Sequence, residues 1–260
     1  MLEFKDGGIY KNGAKNMQKL SKEIKTYKKL LTDLEAELTT LPQGTLVRRK
    51  RSYLHKVGDK KMGITFNIKI QRQLARKKIL LVYIAELRKI IGGGDIEIVQ
   101  TPSAIIATLS KSYQSLPVSY FYHTDVIKWM EVPYKKSTYK IDDLVYETDN
   151  GVKVRTKSEL IIANQLEKSK IPYRYEEVTY LNQNRIIPDF IVRNPFTGQT
   201  FIWEHFGALY LKDYEIRMLE KMTYFKKCGY TPFVDVIYTF ESDVKHLEFL
   251  KTIINNIILG

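Results

Sequence analysis

At 260 residues, 44% of them hydrophobic, the chain is long enough to bury one good core and a smaller second one. Its formal charge of +13 lies wholly in the front third: through Asp95 there are 22 Lys and Arg against 9 Asp and Glu, whereas residues 96–260 balance at 20 against 20. One cysteine, Cys228, excludes an internal disulfide and a multi-thiolate zinc site, no apolar run approaches the roughly 20 residues of a membrane span, and the first residues, "MLEFKDGGIYKNG", lack the apolar core of a secretory signal, so a cytoplasmic globular protein without membrane partners is expected.

Met17, Leu20, Ile24, Tyr27, Leu31, Leu34 and Leu38 recur at alternating steps of three and four, which predicts a helix with one narrow apolar seam. Pro42 and Gly44 end it. The seam over 17–38 has two readings: packing on the next amphipathic helix of the same chain, the commoner outcome for a short heptad tract, or zipping to a second copy as a homodimer. The stretch "TLVRRKRSYLHKVGDKKMGITFNI" reads as two short strands turning at Gly58 and Asp59. Helical spacing returns from Ile70 to Ile91 through Leu74, Leu81, Ile84 and Leu87, and "GGGD" stops it. Residues 1–95 are thus expected to form an α+β unit of helix, hairpin and helix. Within it, residues 44–78 carry twelve bases, among them Arg48, Arg49, Lys50, Arg51, Lys56, Lys60 and Lys61, against the single acid Asp59. So dense a patch attracts a polyanion, and nucleic acid is the first choice ahead of anionic lipid or a merely solubilising surface.

Residues 96–149 read as a helical connector, beginning with a helix near Thr101 and Pro102. From residue 150 the pattern is regular. Thr156 with Glu159 three positions on is a capping-box pattern, and Leu160, Ile161, Ala163 and Leu166 give the helix a buried face; taken alone, Glu159 is a cap. There follow an aromatic-rich strand "IPYRYEEVTYL", a turn "NQNR", a strand "IIPDFIV" opened by Pro188, and, after "RNPFTGQ", the strand "TFIWEHFG". Alternation puts Ile202, Glu204 and Phe206 on one face of the last strand and Trp203 and His205 on the other. A carboxylate among such apolar neighbours costs free energy unless something pairs with it. If the hairpin closes, Asp189 and Glu204 share a sheet end, and a divalent cation would relieve their repulsion. With Glu159 as a third acid the set becomes an oxygen-rich site for Mg²⁺ or Mn²⁺, suited to activating water against a phosphodiester. The alternative is an ion pair of Glu204 with Arg155 or Arg185. Arg155 and Lys157, just ahead of the helix, are in place to reach a phosphate.

These elements in this order, with "RTKSE", "IPYRYE", "PDFIV", "WEHFG" and the Tyr214 to Lys221 spacing, resemble the PD-(D/E)XK nuclease superfamily, and more narrowly a bacterial and mobile-element group within it, over residues 150–260. The resemblance implies a restriction-endonuclease-like mixed sheet flanked by helices, an α/β fold, and a metal-dependent nuclease acting on DNA in preference to RNA. It assigns Asp189, Glu204 and the main-chain carbonyl of His205 as metal ligands and Glu159 as the helix acid. The lysine that the superfamily carries two residues after the second acid is replaced here by Phe206. Lys221, on the following helix with Tyr214 on the same face, is the expected substitute for positioning water; His205 is the rival base. Two other classes stand against the enzyme: a nuclease-fold protein that binds nucleic acid without cutting it, and a coiled-coil assembly protein.

Overall fold

The structure, a computed structural model, describes residues 24–25, 27–92, 102–208 and 210–255. The chain divides into two compact units, Met1–Glu97 and Ile98–Gly260.

In the first unit, residues 27–39 form helix α1, followed by strands β1 (Thr45–Arg49), β2 (Ser52–Val57) and β3 (Lys60–Gly63) and helix α2 (Ile68–Ile91). Where two strands were expected there are three, in the antiparallel order β1-β2-β3. The second turn falls at Gly58, φ +56°, and Asp59 as the residues suggest, but the first falls at Lys50 and Arg51, with Lys50 at φ +55°. Two bases carry no turn signal of the Gly or Asn kind, so that bend is set by the pairing of the strands around it. Asn67 caps α2, its Oδ1 accepting from the Ile70 N–H at 3.1 Å, and the helix starts two residues earlier than the apolar spacing indicates. Its buried stripe runs through Ala75, Ile79, Tyr83 and Leu87, which leaves Leu81, expected inside, 44% exposed.

The described part of the seam is used within the chain. Leu34 is buried and Tyr27, Leu31 and Leu38 are half-buried. Arg76, itself buried, clasps Glu37 with two hydrogen bonds of 2.7 Å, and Arg88 reaches Glu35 at 2.7 Å, so α1 is tied to α2. Met17 and Leu20 lie outside the described residues.

The second unit begins with short helices α3 (Pro102–Thr108), α4 (Lys111–Gln114) and α5 (Thr124–Glu131). This stretch, expected as a connector, is bound into the unit: Tyr122 Oη donates to the Lys170 carbonyl at 2.6 Å, and Arg174 lies 4.4 Å over the Trp129 ring while donating to the Val132 carbonyl at 2.7 Å. Then come β4 (Tyr146–Glu147), β5 (Lys153–Val154), α6 (Lys157–Lys168), β6 (Tyr173–Tyr175), β7 (Thr179–Leu181), β8 (Asn184–Ile186), β9 (Phe190–Arg193), β10 (Thr200–Phe206), α7 (Lys212–Lys227), β11 (Val236–Phe240), α8 (Glu241–Val244) and α9 (Leu247–Ile253). The strand expected over "IPYRYEEVTYL" breaks at Glu176, φ +48°, where the Arg155 guanidinium holds the carboxylate. Its first half, β6, joins the main sheet, and its second, β7, pairs with β8 across Asn182 and Gln183, both at positive φ.

The main sheet has the order β11-β10-β9-β6; β10 and β11 are parallel, joined through α7, and the other pairs are antiparallel. Alternation along β10 sorts the two faces as its residues predict. Ile202 and Phe206 pack with Val236, Tyr238 and the α7 residues Met218, Met222 and Phe225; Phe201 and Trp203 pack with Phe190, Val192 and Ile237 against Ile162 and Leu166 of α6 and Leu250 and Ile253 of α9. Fully buried rings such as Trp203, Phe190 and Phe201 stabilise this sheet by about 1.5–3 kcal/mol each. The molecule is thus a mixed α/β structure, and no helix among the described residues is long and apolar enough to cross a membrane.

Candidate active site and basic face

Strands β9 and β10 pair through Trp203 opposite Phe190, and one further step along that register sets Asp189 opposite Glu204. There the backbone ladder gives way to a side chain: Asp189 Oδ2 accepts from the His205 N–H at 2.7 Å. On its other side the Asp189 carbonyl accepts from the Glu176 N–H at 3.0 Å, and the buried Pro188 ahead of it has no donor to leave unpaired. Asp189 is therefore pinned between β6 and β10.

Glu204, on the interior strand β10, has 0% exposure. Lys221 Nζ donates to its Oε2 at 2.5 Å, and its Oε1, equally buried, has no partner of hydrogen-bond geometry among the described residues. Burial first, and the charge of Asp189 second, push the Glu204 carboxyl up to about 8, while the Lys221 ammonium pulls the other way. Burial alone would depress the Lys221 amine; the charges of Glu204 and Asp189 and the hydrogen bond more than offset it and hold the amine above its ordinary value. Seven residues before Lys221 on α7, Tyr214 Oη lies 3.4 Å from the His205 carbonyl, and burial and the Asp189 charge raise its phenol. Thus Asp189, Glu204, Lys221, Tyr214 and the His205 main chain meet at one end of the sheet.

The His205 ring points the other way. Its Nδ1 is 3.2 Å from Thr239 Oγ1, an oxygen that also accepts from Trp203 Nε1 at 2.9 Å. Nε2 faces Glu241 Oε2 at 3.6 Å, too long for a hydrogen bond, and Ser158 Oγ donates to that same oxygen at 2.8 Å. Burial, opposed by Asp189 and Glu241, holds the imidazole below its usual value. A neutral ring on the far face is badly placed to serve as the base beside Glu204.

Glu159 is the cap that its spacing suggests. Its Oε2 accepts from the Arg155 N–H at 3.0 Å, the Thr156 N–H at 3.0 Å and Tyr175 Oη at 2.9 Å, closing a capping box. Burial and the charge of Asp189 raise its carboxyl, so Asp189 acts electrostatically on both other acids. Among the described residues no three His, Cys, Asp or Glu side chains gather into a group that could hold a metal ion. What a cation would find is Asp189, the partnerless Oε1 of Glu204 and the His205 carbonyl, hard oxygen donors that suit Mg²⁺ or Mn²⁺.

Neither arginine considered for Glu204 pairs with it. Arg155 instead uses four of its five N–H donors on Glu176 and on the carbonyls of Tyr139 and Lys140, which takes it out of the phosphate contacts expected of it; Lys157 is exposed. Sequence reasoning missed Tyr175, Glu176 and Glu241. Their only signals were a tyrosine and glutamate at the end of "YRYEE" and an acid directly after the apolar strand "VIYTF".

In the first unit the pairing sorts the bases. Lys56 sits opposite Lys61 and Arg49 opposite Ser52, so Arg49, Lys56 and Lys61 share one exposed face, with Val47 and Leu54 beneath them. Arg48 and Lys60 fall on the opposite face with the buried Leu46, and Lys50 and Arg51 form the first turn. The seven bases are exposed, but they are not one coplanar patch.

No family model matches the chain, and no solved structure matches it. Over 84 residues, 32% of this chain, it is 33% identical to the uncharacterized protein MJ1519 of Methanocaldococcus jannaschii, and the match covers 7% of that protein.

Proposed function

We propose that the protein is a metal-dependent nuclease that hydrolyses DNA phosphodiester bonds, with a restriction-endonuclease-like fold at residues 150–260 and a basic front unit that grips the backbone. The observation that carries this reading is Glu204: a fully buried carboxylate, raised by burial and by Asp189, with one oxygen on Lys221 and the other without a partner among the described residues. An orphaned buried carboxylate oxygen is costly to maintain, and a bound cation relieves that cost. The cation, held by Asp189, Glu204 and the His205 carbonyl, would supply Lewis acidity and neutralise phosphate charge. The chain itself does the positioning. Asp189 is fixed by the His205 N–H, so its carboxylate does not swing when substrate arrives. Lys221, kept as an ammonium, donates: it orients the attacking water and meets charge developing on the phosphate, and it does not remove the proton. Glu159 holds the start of α6, and through Tyr175 it fixes the strand that anchors Asp189.

Incubation of plasmid and single-stranded DNA with Mg²⁺ or Mn²⁺, with chelator as control, tests this. The wild type should cut, and Glu204→Gln and Asp189→Asn should lose at least about 100-fold in rate while still binding DNA. A second reading, a nuclease-fold protein that binds without cutting, draws on the short Lys221–Glu204 pair and on the lack of a three-residue ligand group. It stands if the wild type binds DNA and neither metal elicits cleavage.

A further inference from the structure

Phe66 is 98% exposed, an unusual state for a phenyl ring in an ordered segment. The segment is not loose. The Ile64 N–H donates to the Tyr53 carbonyl at 2.8 Å, Thr65 Oγ1 accepts from the Tyr53 N–H at 3.0 Å, and the Asn67 N–H donates to the Ile64 carbonyl at 2.9 Å. The buried Gln71 amide donates to the carbonyls of Ile64 and Thr65, each at 2.9 Å. Residues on both sides of Phe66 are thereby fastened while its own ring is presented to solvent, beside Ile68 at 51% exposure. The ring also has a charged setting. The ladder from Leu54 opposite Gly63 continues to Tyr53 beside Ile64, which carries the chain toward the turn at Lys50 and Arg51; Lys69 follows in α2, whose first turn holds no acid.

We infer that Phe66 is a stacking platform for an unpaired nucleobase, with Lys50, Arg51 and Lys69 bracketing the adjoining phosphates, so that the first unit prefers single-stranded nucleic acid to duplex. This rests on the nucleic-acid reading above and deepens it: the bases draw in any polyanion, but a flat apolar ring among them finds a partner only where a base is out of its helix. A lipid surface or an acidic protein would use the charge without needing an exposed ring on a fastened backbone.

The test uses the full chain, a fluorescent oligo(dT) and a duplex of the same length, with anisotropy read over a range of salt. Phe66→Ala should weaken oligo(dT) binding by about 10-fold, leave duplex binding within about twofold, keep the salt slope and keep the melting temperature, whereas Phe66→Tyr should bind as the wild type does. If Phe66→Ala binds oligo(dT) as well as the wild type, or weakens both substrates equally, the stacking role is overturned while the nucleic-acid grip stands. If the wild type binds neither substrate, the grip itself falls and the stacking role with it.

Discussion

The two units hold their charge in opposite ways. The front third carries the whole +13 excess, and among its described residues the bases of the three-stranded sheet and its turns stand in solvent. Residues 96–260 are neutral overall, and several of their charges are paired inside the unit: Glu204 on Lys221, Arg155 on Glu176, Arg174 on Glu177, Glu159 under a helix start. A solvated charge costs the fold little and stabilises it little, so it is free to serve long-range attraction. A buried charge has to be placed within hydrogen-bond reach of a partner, and each one restricts what the surrounding strands can do. The same residue types therefore mean different things in the two units: affinity in one, architecture and chemistry in the other.

That contrast can be broken most sharply in the second unit. Trp203→Ala removes a fully buried ring together with the hydrogen bond to Thr239, and urea denaturation should show a loss of about 3–5 kcal/mol. At a pH above about 8, where Glu204 is ionised, Lys221→Ala leaves that charge buried without its cation; because the Lys221 side chain is 34% exposed, solvent softens the penalty, and the expected loss is about 2 kcal/mol. The pH dependence follows from Glu204. Its folded carboxyl lies above the ordinary 4.5, at about 8, so the folded state holds a proton that the unfolded state has released between those values. Stability, measured by urea melts in chelator, should therefore fall as pH rises from about 4.5 to about 8, and Glu204→Gln should flatten that fall. In the first unit the effect on folding should nearly vanish. Arg49→Ala, Lys56→Ala and Lys61→Ala should each change stability by no more than about 0.5 kcal/mol, while together they reduce the salt slope of oligo(dT) binding by about 2. A large folding cost there, or none for Lys221→Ala, would erase the distinction between the units.

Parts of the site were legible before any coordinates. Thr156 and Glu159 announce a capping box because the motif is local, and Glu204 stands out because an acid inside "FIWEHF" has no local excuse. That Lys221 meets Glu204 was expected from a resemblance, since nothing in the spacing of 17 residues demands it. The bend at Lys50 and the break at Glu176 were not legible: both take a positive φ that neither residue type favours, Lys50 between paired strands and Glu176 where Arg155, 21 residues away, holds its carboxylate. The same holds for Arg155, which looked available to a phosphate until Glu176 and two carbonyls were seen to occupy it.

Periodicity, capping and charge are properties of neighbours along the chain, and they determined the helices, the alternation of β10 and the concentration of bases ahead of residue 96. Which buried group faces which is a property of the closed sheet. Only there does one step of register bring Asp189 opposite Glu204 and leave, among the described residues, a carboxylate oxygen without a partner, because desolvation and pairing depend on distances between segments far apart in the chain.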